Sequence, residues 1–235
     1  MRVKIPFGVQ IVAILLAGVI ASGTILLIAN YKKSKKQSEN LEYHTVTFAY
    51  LDGTIIGTKE VEHGKGVYPP KLTDEGVFRG WSAGINEVTT DMETHPVYHN
   101  IAENNLFYFD SVYVQEGEEF SVDVCLGGQV SLSSGELALE YDTAVLEFVQ
   151  PKDMKHCTVE ENIKGKVMII INEPDVIKAE TVLSELCFLA KKKDAYSTEL
   201  VLSANDMKVV QGENEIPADC ATLNNKVFFF KEVEK

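Results

Sequence analysis

The feature that most constrains this chain is an uncharged apolar run from Ile5 to Tyr31. Two basic residues precede it, and lysines follow it at positions 32, 33, 35 and 36. A helix crosses a bilayer with about 20 mostly apolar residues, whereas the apolar region of a cleavable secretory signal has about 7 to 15. The run therefore predicts a retained transmembrane anchor over residues 1–36. An export signal cleaved near Ala21-Ser22-Gly23 is the second interpretation.

The side of the membrane that the rest of the chain occupies is indicated in two opposite ways. Basic residues are enriched on the cytoplasmic side of a membrane helix, so the four lysines after the run favour the inside. Long domains, however, cross a membrane largely regardless of flanking charge, and the domain content described below favours the outside. We therefore predict a single-pass cell-membrane protein whose C-terminal domains are extracellular.

The part of the chain after Lys36 is strongly acidic. The whole chain has a formal net charge of −13, and all 35 Asp and Glu residues follow Lys36. Such a surface repels nucleic acid, so we expect no nucleic-acid partner.

The part of the chain after Lys36, which we call the passenger, shows the sequence pattern of a mainly β protein. Period-two or β-rich segments recur, such as Phe120–Val124 and Leu137–Tyr141, and Gly, Asn and Asp clusters separate them. No long amphipathic helix competes with them. A composition break near Asn100–Asn105 divides the passenger, which predicts a linker over 37–43, a small domain over 44–100 and a larger domain over 104–235.

The small domain contains Asp52-Gly53, Pro69-Pro70 and, above all, the segment Gly76-Val77-Phe78-Arg79-Gly80-Trp81. In these residues it resembles a Listeria-Bacteroides type B-repeat, the β-grasp-like module of bacterial surface proteins. The resemblance implies a β-grasp-like fold. Trp81, the only tryptophan of the chain, is then expected to be the largest core residue.

The larger domain contains a strand that ends in Tyr141-Asp142, followed by Val145-Leu146-Glu147-Phe148. With the segments Gly117–Val124 and Gly165–Ile169, this pattern resembles a cohesin, the receptor domain of cellulosome-like assemblies. The resemblance implies a jelly-roll β-sandwich that binds a dockerin, a calcium-loaded helical module. It also implies that calcium belongs to the partner, and we expect no cofactor in this chain.

A candidate binding face follows from the alternation of two strands. If Leu137, Leu139 and Tyr141 face the core, the residues between them face outward. The run Val167–Ile171 does not alternate between apolar and polar residues, so two or three of its apolar side chains point away from the core, whichever set faces inward. With Val167, Ile169 and Ile171 inward, Met168 and Ile170 are expected to be exposed, unless a loop or the small domain covers them. An apolar patch rimmed by carboxylates is typical of a protein-recognition face. The predicted partner-binding residues are Glu136, Ala138, Glu140, Glu147, Met168 and Ile170.

The aromatic run Phe228-Phe229-Phe230 supports an alternative partner. Three consecutive aromatic residues of a strand cannot all face one side, so they either form a sugar-stacking platform or belong to a central strand that is covered on both faces. An adhesin-like or carbohydrate-binding surface protein, with polysaccharide as its partner, is therefore the alternative function.

Catalysis is not expected from this sequence. It contains none of the common motifs for a serine nucleophile, a zinc protease, a phosphate-binding loop or a calcium loop. His95 and His99 would share a metal only on a helix, and Pro96 between them argues for a strand. We therefore predict neither catalytic residues nor a metal site.

The four cysteines give no zinc signature. Cys125, Cys157, Cys187 and Cys220 lie about 30 residues apart along the chain, unlike the close pairs of structural zinc sites. Outside the cell they could form disulfides in three connectivities, or all four could remain thiols.

Overall fold

The computed structural model describes residues 41–73, 76–101, 106–128, 132–171, 181–191, 195–211, 213–231 and 233. These residues form 17 β-strands and no α-helix, which confirms the prediction of a mainly β chain. This part of the chain therefore contains no helical segment that could span a bilayer. The predicted anchor over 1–36 lies outside the described residues, as does most of the predicted domain boundary, at 102–105.

The first five strands build what we call the N-terminal module, residues 43–99. A three-stranded sheet has the order β2-β1-β4, with β1 antiparallel to β2 and parallel to β4, and β3 pairs with β5 in a second, two-stranded sheet. The β1–β2 turn is set by Asp52, whose Oδ1 accepts the Thr54 N–H at 2.9 Å, and by Gly53 with φ 87°. The strands are β1 Tyr43–Ala49, β2 Ile55–Glu62, β3 Val77–Trp81, β4 Met92–Thr94 and β5 Pro96–His99.

The remaining strands form a β-sandwich over residues 106–230, and this confirms the predicted sandwich architecture. One sheet has five strands in the order β10-β13-β8-β6-β16. The other has seven, in the order β11-β12-β9-β14-β17-β7, with β15 paired to β14. The strands are β6 Leu106–Tyr108, β7 Val112–Gln115, β8 Glu119–Gly127, β9 Leu132–Glu140, β10 Leu146–Met154, β11 Cys157–Ile163, β12 Lys166–Ile171, β13 Thr181–Ala190, β14 Ser197–Gln211, β15 Asn214–Pro217, β16 Ala221–Thr222 and β17 Asn225–Phe230.

The core between the two sheets follows the alternation of the strands. Leu137 and Leu139 of β9 are fully buried, and Tyr141, directly after that strand, is 8% exposed. On β12, Val167 and Ile169 are fully buried as well. These residues all belong to the sandwich core, as the sequence predicted.

The Tyr-Asp signature after β9 stabilises the turn to β10. The Tyr141 hydroxyl accepts the Phe148 N–H at 3.3 Å and donates to Glu161, while Asp142 Oδ1 accepts the Ala144 N–H at 2.8 Å. Burial, together with the hydrogen bond to Glu161, raises the pKa of Tyr141 to about 12. The signature therefore has a structural role at this position.

The N-terminal module packs directly against the sandwich, and residues Tyr43–Lys235 form one compact unit. Phe230, the last residue of β17, belongs to the hydrophobic core of the module, which also contains Trp81 and Phe48. Two buried asparagines join the parts: Asn86 Nδ2 donates to the Phe229 carbonyl at 2.7 Å, and Asn225 Nδ2 donates to the Phe78 carbonyl at 2.8 Å. Independent folding of residues 44–100 and 104–235, and the β-grasp-like fold of the small domain, remain predictions.

Candidate binding face

The outward side of the seven-stranded sheet carries most of the predicted binding residues. Since β9 pairs antiparallel with β12, Ala138 lies opposite Met168, and Glu136 lies opposite Ile170. Glu140 lies opposite Lys166 at the other end of the pair. Leu137, Leu139, Val167 and Ile169 fill the core. The even-numbered residues that alternate with them, at 136, 138 and 140 of β9 and at 168 and 170 of β12, therefore point away from it.

The apolar residues of this set are more buried than the sequence predicted. Glu136 and Glu140 are exposed, but Met168 and Ile170 are half-buried, and Ala138 is fully buried although it points outward. The reason is that β9 lies in the interior of the sheet. Ala138 has Met168 on one side and Ser203 of β14 on the other, and its short side chain lies below theirs.

Two neighbouring strands add residues that the alternation of β9 and β12 could not identify. Glu160 of β11 lies opposite Met168, and Thr158 lies opposite Ile170. On the other side of β9, Val201 of β14 lies opposite Glu140, and the Val201 side chain is 38% exposed. The alternation of β14, with Leu200 and Leu202 in the core, marks Val201 and Ser203 as outward, but nothing in the sequence places β14 beside β9. We call this surface the open face; its residues are Glu136, Ala138, Glu140, Thr158, Glu160, Met168, Ile170, Val201 and Ser203.

Glu147, the sixth predicted binding residue, is separated from the other five. It lies on β10, which is the edge strand of the five-stranded sheet, and its carboxylate forms an ion pair with Lys191 Nζ at 3.2 Å. The sequence motif that contains Glu147 is continuous with β9, but the chain crosses from one sheet to the other between Tyr141 and Leu146. Glu147 therefore does not share the sheet surface that carries Met168.

The open face is apolar at its centre and negatively charged at its rim. Met168 and Ile170 pack against neither hydrophobic core among the described residues. Of the carboxylates, Glu140 accepts from Lys166 Nζ at 3.1 Å, and Glu160 accepts from Asn162 Nδ2 at 2.9 Å. The Glu140–Lys166 pair is exposed on both sides, so it contributes little to stability and can be exchanged for a partner's cation.

The other half of the same outward surface is covered. Tyr113 of β7 stacks on Phe228 of β17 with ring centroids 4.7 Å apart, and its hydroxyl accepts the Trp81 N–H of the module at 3.1 Å. Phe230 packs edge-on against Tyr68 of the module at 4.8 Å. We call Tyr113, Phe228 and Phe230 the covered face.

This arrangement answers the question that the aromatic run raised. Phe229 faces the sandwich core, and Phe230 is 4% exposed beneath the module. Phe228 is half-buried between Tyr113 and Gly80 of the Gly-x-Phe-x-Gly-Trp segment; a Cβ at Gly80 would lie 3.1 Å from the Phe228 ring. The run therefore offers no exposed row of aromatic rings on which a sugar could stack.

His95, His99 and the four cysteines lie outside the open face. His95 Nδ1 lies 2.9 Å from the Ala49 carbonyl oxygen, and His99 is the exposed last residue of β5. No disulfide joins the four cysteines, all of which lie in the described part of the chain. Cys157 Sγ donates to the Leu183 carbonyl at 3.2 Å. Burial, followed by the nearby Asp123 and Asp110 carboxylates, raises the pKa of the Cys125 thiol to about 12, which makes it a poor nucleophile and a poor metal ligand.

Comparison with known proteins finds similarity at the level of solved structures. No protein-family model matches the sequence, and no curated protein matches it. The seventh ScaB type I cohesin from Pseudobacteroides cellulosolvens is 12% identical with a TM-score of 0.49; the match covers 55% of this chain and 92% of that one. The sixth cohesin from Acetivibrio cellulolyticus scaffoldin B, solved in complex with a Cel5 dockerin mutant, is 19% identical with a TM-score of 0.47 and coverages of 54% and 99%. A non-cellulosomal cohesin from the archaeon Archaeoglobus fulgidus is 17% identical with a TM-score of 0.44 and coverages of 54% and 91%.

Proposed function

We propose that this chain is a non-catalytic, membrane-anchored cell-surface receptor or scaffold, and that the open face of its sandwich binds a dockerin-type module. The observation that carries the proposal is the contrast on the outward surface of the seven-stranded sheet. The module covers one half, while the half around Met168 and Ile170 has apolar side chains within a rim of carboxylates. A surface of that composition suits a protein partner.

The chemistry of the open face specifies the kind of partner. Met168 and Ile170 would fill the contact centre, since apolar anchors at the centre of an interface carry most of its binding energy. Glu136, Glu140 and Glu160 would meet Lys or Arg side chains at the rim, where charge chiefly sets the rate and specificity of association. The partner we infer is a helical module with an apolar stripe flanked by basic residues. Calcium would be bound by that module.

The experiment is capture of partners from the secreted proteins of the source organism on the immobilised full chain, with calcium and with EDTA. The proposal requires a dockerin-bearing protein that is retained with calcium and released by EDTA. Replacing Met168 and Ile170 together by Asp should weaken its capture at least a hundredfold, because a carboxylate is then desolvated at the centre of the contact.

A matched control is available on the opposite sheet. Val149 and Met154 of β10 are 42% and 49% exposed, so the double variant Val149→Asp/Met154→Asp introduces the same charges on the other surface and should retain capture. Equal loss in both double variants, or undiminished capture by Met168→Asp/Ile170→Asp, would remove the open face from consideration.

A second variant keeps the test valid if the double Asp variant unfolds. Glu136 is exposed, so Glu136→Lys should leave the melting temperature unchanged and slow association with a basic partner. Glu119→Lys, at the exposed start of β8 in the other sheet, makes the same charge change away from the open face. Identical association rates for the two variants would contradict the inferred rim.

The location of the receptor is tested separately. A single-pass anchor near the N-terminus with extracellular C-terminal domains predicts that protease added to intact cells removes the chain beyond about residue 40. Complete protection in intact cells, with digestion after lysis, would place these domains inside and exclude a surface receptor.

A further inference from the structure

The N-terminal module brings together two histidines that no sequence motif connects. His44 lies on β1, and His63 follows the last residue of β2, its antiparallel partner strand. Their rings approach with centroids 5.2 Å apart and planes inclined by 55°. His44 Nε2 and His63 Nδ1 are 2.9 Å apart. The pairing of the two strands, 19 residues apart in sequence, creates this contact.

We propose that His44 and His63 form a binding site for a borderline divalent cation, with Zn²⁺ as the best fit. In a hydrogen bond between two imidazole nitrogens, one nitrogen donates its N–H and the other accepts with its lone pair, so both nitrogens are directed at the same proton. A cation between the two nitrogens replaces that proton, and the ring that donated it becomes the other neutral tautomer. Imidazole nitrogen is a preferred ligand of Zn²⁺, Cu²⁺ and Ni²⁺.

The distance between the two nitrogens is close to what coordination needs. Zinc binds histidine nitrogen at about 2.0–2.1 Å, so two nitrogens at a tetrahedral angle are about 3.3 Å apart. The observed 2.9 Å must therefore increase by a few tenths of an ångström. His63 is exposed and can turn outward to provide this, while His44 is 8% exposed and held in place. The exposed Glu42 carboxylate offers a third ligand, because one of its oxygens and a ring nitrogen of each histidine lie within 4.8 Å of one another, and the fourth coordination position is left to water.

A carboxylate supports the buried histidine from behind. Asp91 Oδ1 lies 3.7 Å from His44 Nδ1, and the same oxygen accepts the Thr45 N–H at 2.8 Å. Its position favours the tautomer of His44 that is protonated at Nδ1, which leaves the Nε2 lone pair directed at His63. A carboxylate on the second nitrogen of a ligating histidine is the usual support of zinc-binding imidazoles.

Negative charge at the two histidines also favours a cation. Asp91 lies behind His44, and the exposed Glu42 carboxylate lies within 4.8 Å of a ring nitrogen of each histidine. The site thus has a carboxylate on each side of the histidine pair.

The test is titration of the full chain with ZnCl₂ under reducing conditions, in which isothermal titration calorimetry measures the binding. CaCl₂ is the comparison cation. We expect one zinc ion per chain, and no comparable binding of calcium, which prefers oxygen ligands. His63→Ala should lower the zinc affinity at least tenfold, because one of the two nitrogen ligands is lost. His99→Ala, which removes an exposed histidine elsewhere in the module, should leave the affinity unchanged.

His63→Cys separates a ligand role from a structural one. A thiolate is also a zinc ligand, so this variant should recover zinc binding that His63→Ala loses, although it cannot reproduce the packing of an imidazole. His44→Gln should abolish binding as well; its melting temperature is measured because His44 is buried. Zinc affinity that is the same in His63→Ala as in the natural chain, or a His63→Cys variant that binds no better than His63→Ala, would overturn the proposal.

Discussion

The covered and open faces lie on the same side of the seven-stranded sheet, but they differ in what packs against them. Both carry large apolar side chains that point away from the sandwich core. On the covered face, Phe230 enters the core of the N-terminal module and Tyr113 binds its backbone. On the open face, Met168 and Ile170 pack against neither core among the described residues. The alternation of a strand therefore shows that an apolar residue points outward, but it does not show whether that residue is covered. Coverage depends on which other segment of the chain packs over it.

The largest effect in this comparison is expected from Phe230→Ala. Phe230 is 4% exposed and contacts the rings of Tyr68 and Tyr113 at centroid distances of 4.8 and 5.8 Å. Truncation of a buried phenylalanine costs about 3–5 kcal/mol, and equilibrium unfolding in urea measures this. A loss below about 1 kcal/mol would mean that the module does not depend on the covered face.

A smaller effect is expected from Gly66→Ala at the same junction. A Cβ at Gly66 would lie 2.6 Å from the Asn86 carbonyl oxygen and would overlap the Phe230 ring. Overpacking of this kind costs about 1–3 kcal/mol. Gly84→Ala is the matched control, since no atom lies within 4 Å of its added Cβ. Equal melting temperatures for the two alanine variants would show that the junction accommodates the added methyl group without loss of stability.

On the open face, Met168→Ala should cost about 1 kcal/mol of unfolding free energy. This lies between the few tenths typical of exposed positions and the 2–5 kcal/mol of a core methionine, because Met168 is half-buried. The same urea titration that serves Phe230→Ala gives the value. A loss of about 2–5 kcal/mol in unfolding free energy, as for a core methionine, would contradict the distinction between the two faces.

The smallest effect is a pH dependence at the junction. Asp110 is an exposed residue, but partial desolvation of its carboxylate raises its pKa, and the Asp123 charge raises it further; the hydrogen bond that its Oδ1 accepts from the Phe78 N–H of the module at 2.8 Å offsets only part of this. A carboxyl whose pKa is raised on folding favours the folded state when protonated, and this contribution is lost as pH rises through the folded pKa. Asp110→Asn should therefore raise the melting temperature slightly at pH 7. The gain should shrink as the pH falls through the folded pKa of Asp110, and it should be absent below about 4, since Asp110 is then protonated in both states. A variant that is less stable than the natural chain at pH 7 would contradict this sign.

The sequence predicted the local features of the fold well. Alternation in β9 and β12 identified Leu137, Leu139, Val167 and Ile169 as core residues, and all four are fully buried. The period of a strand is two, so a few apolar residues are enough to assign its two faces. The same argument assigned Met168 and Ile170 to the outward surface. It failed for the exposure of Ala138, because cover by cross-strand neighbours depends on which strands lie beside β9.

Only the tertiary structure decided which outward residues share a surface. Glu147 follows β9 by seven residues but lies on the opposite sheet, whereas Ser203, 65 residues from Ala138, lies beside it. The same holds for the junction, where β17 at the end of the chain supplies Phe230 to the core of a module built at its beginning. Local alternation is fixed by backbone geometry within a strand. Pairing between distant strands is fixed by the burial and hydrogen bonding of the whole chain, to which a single segment contributes only a part.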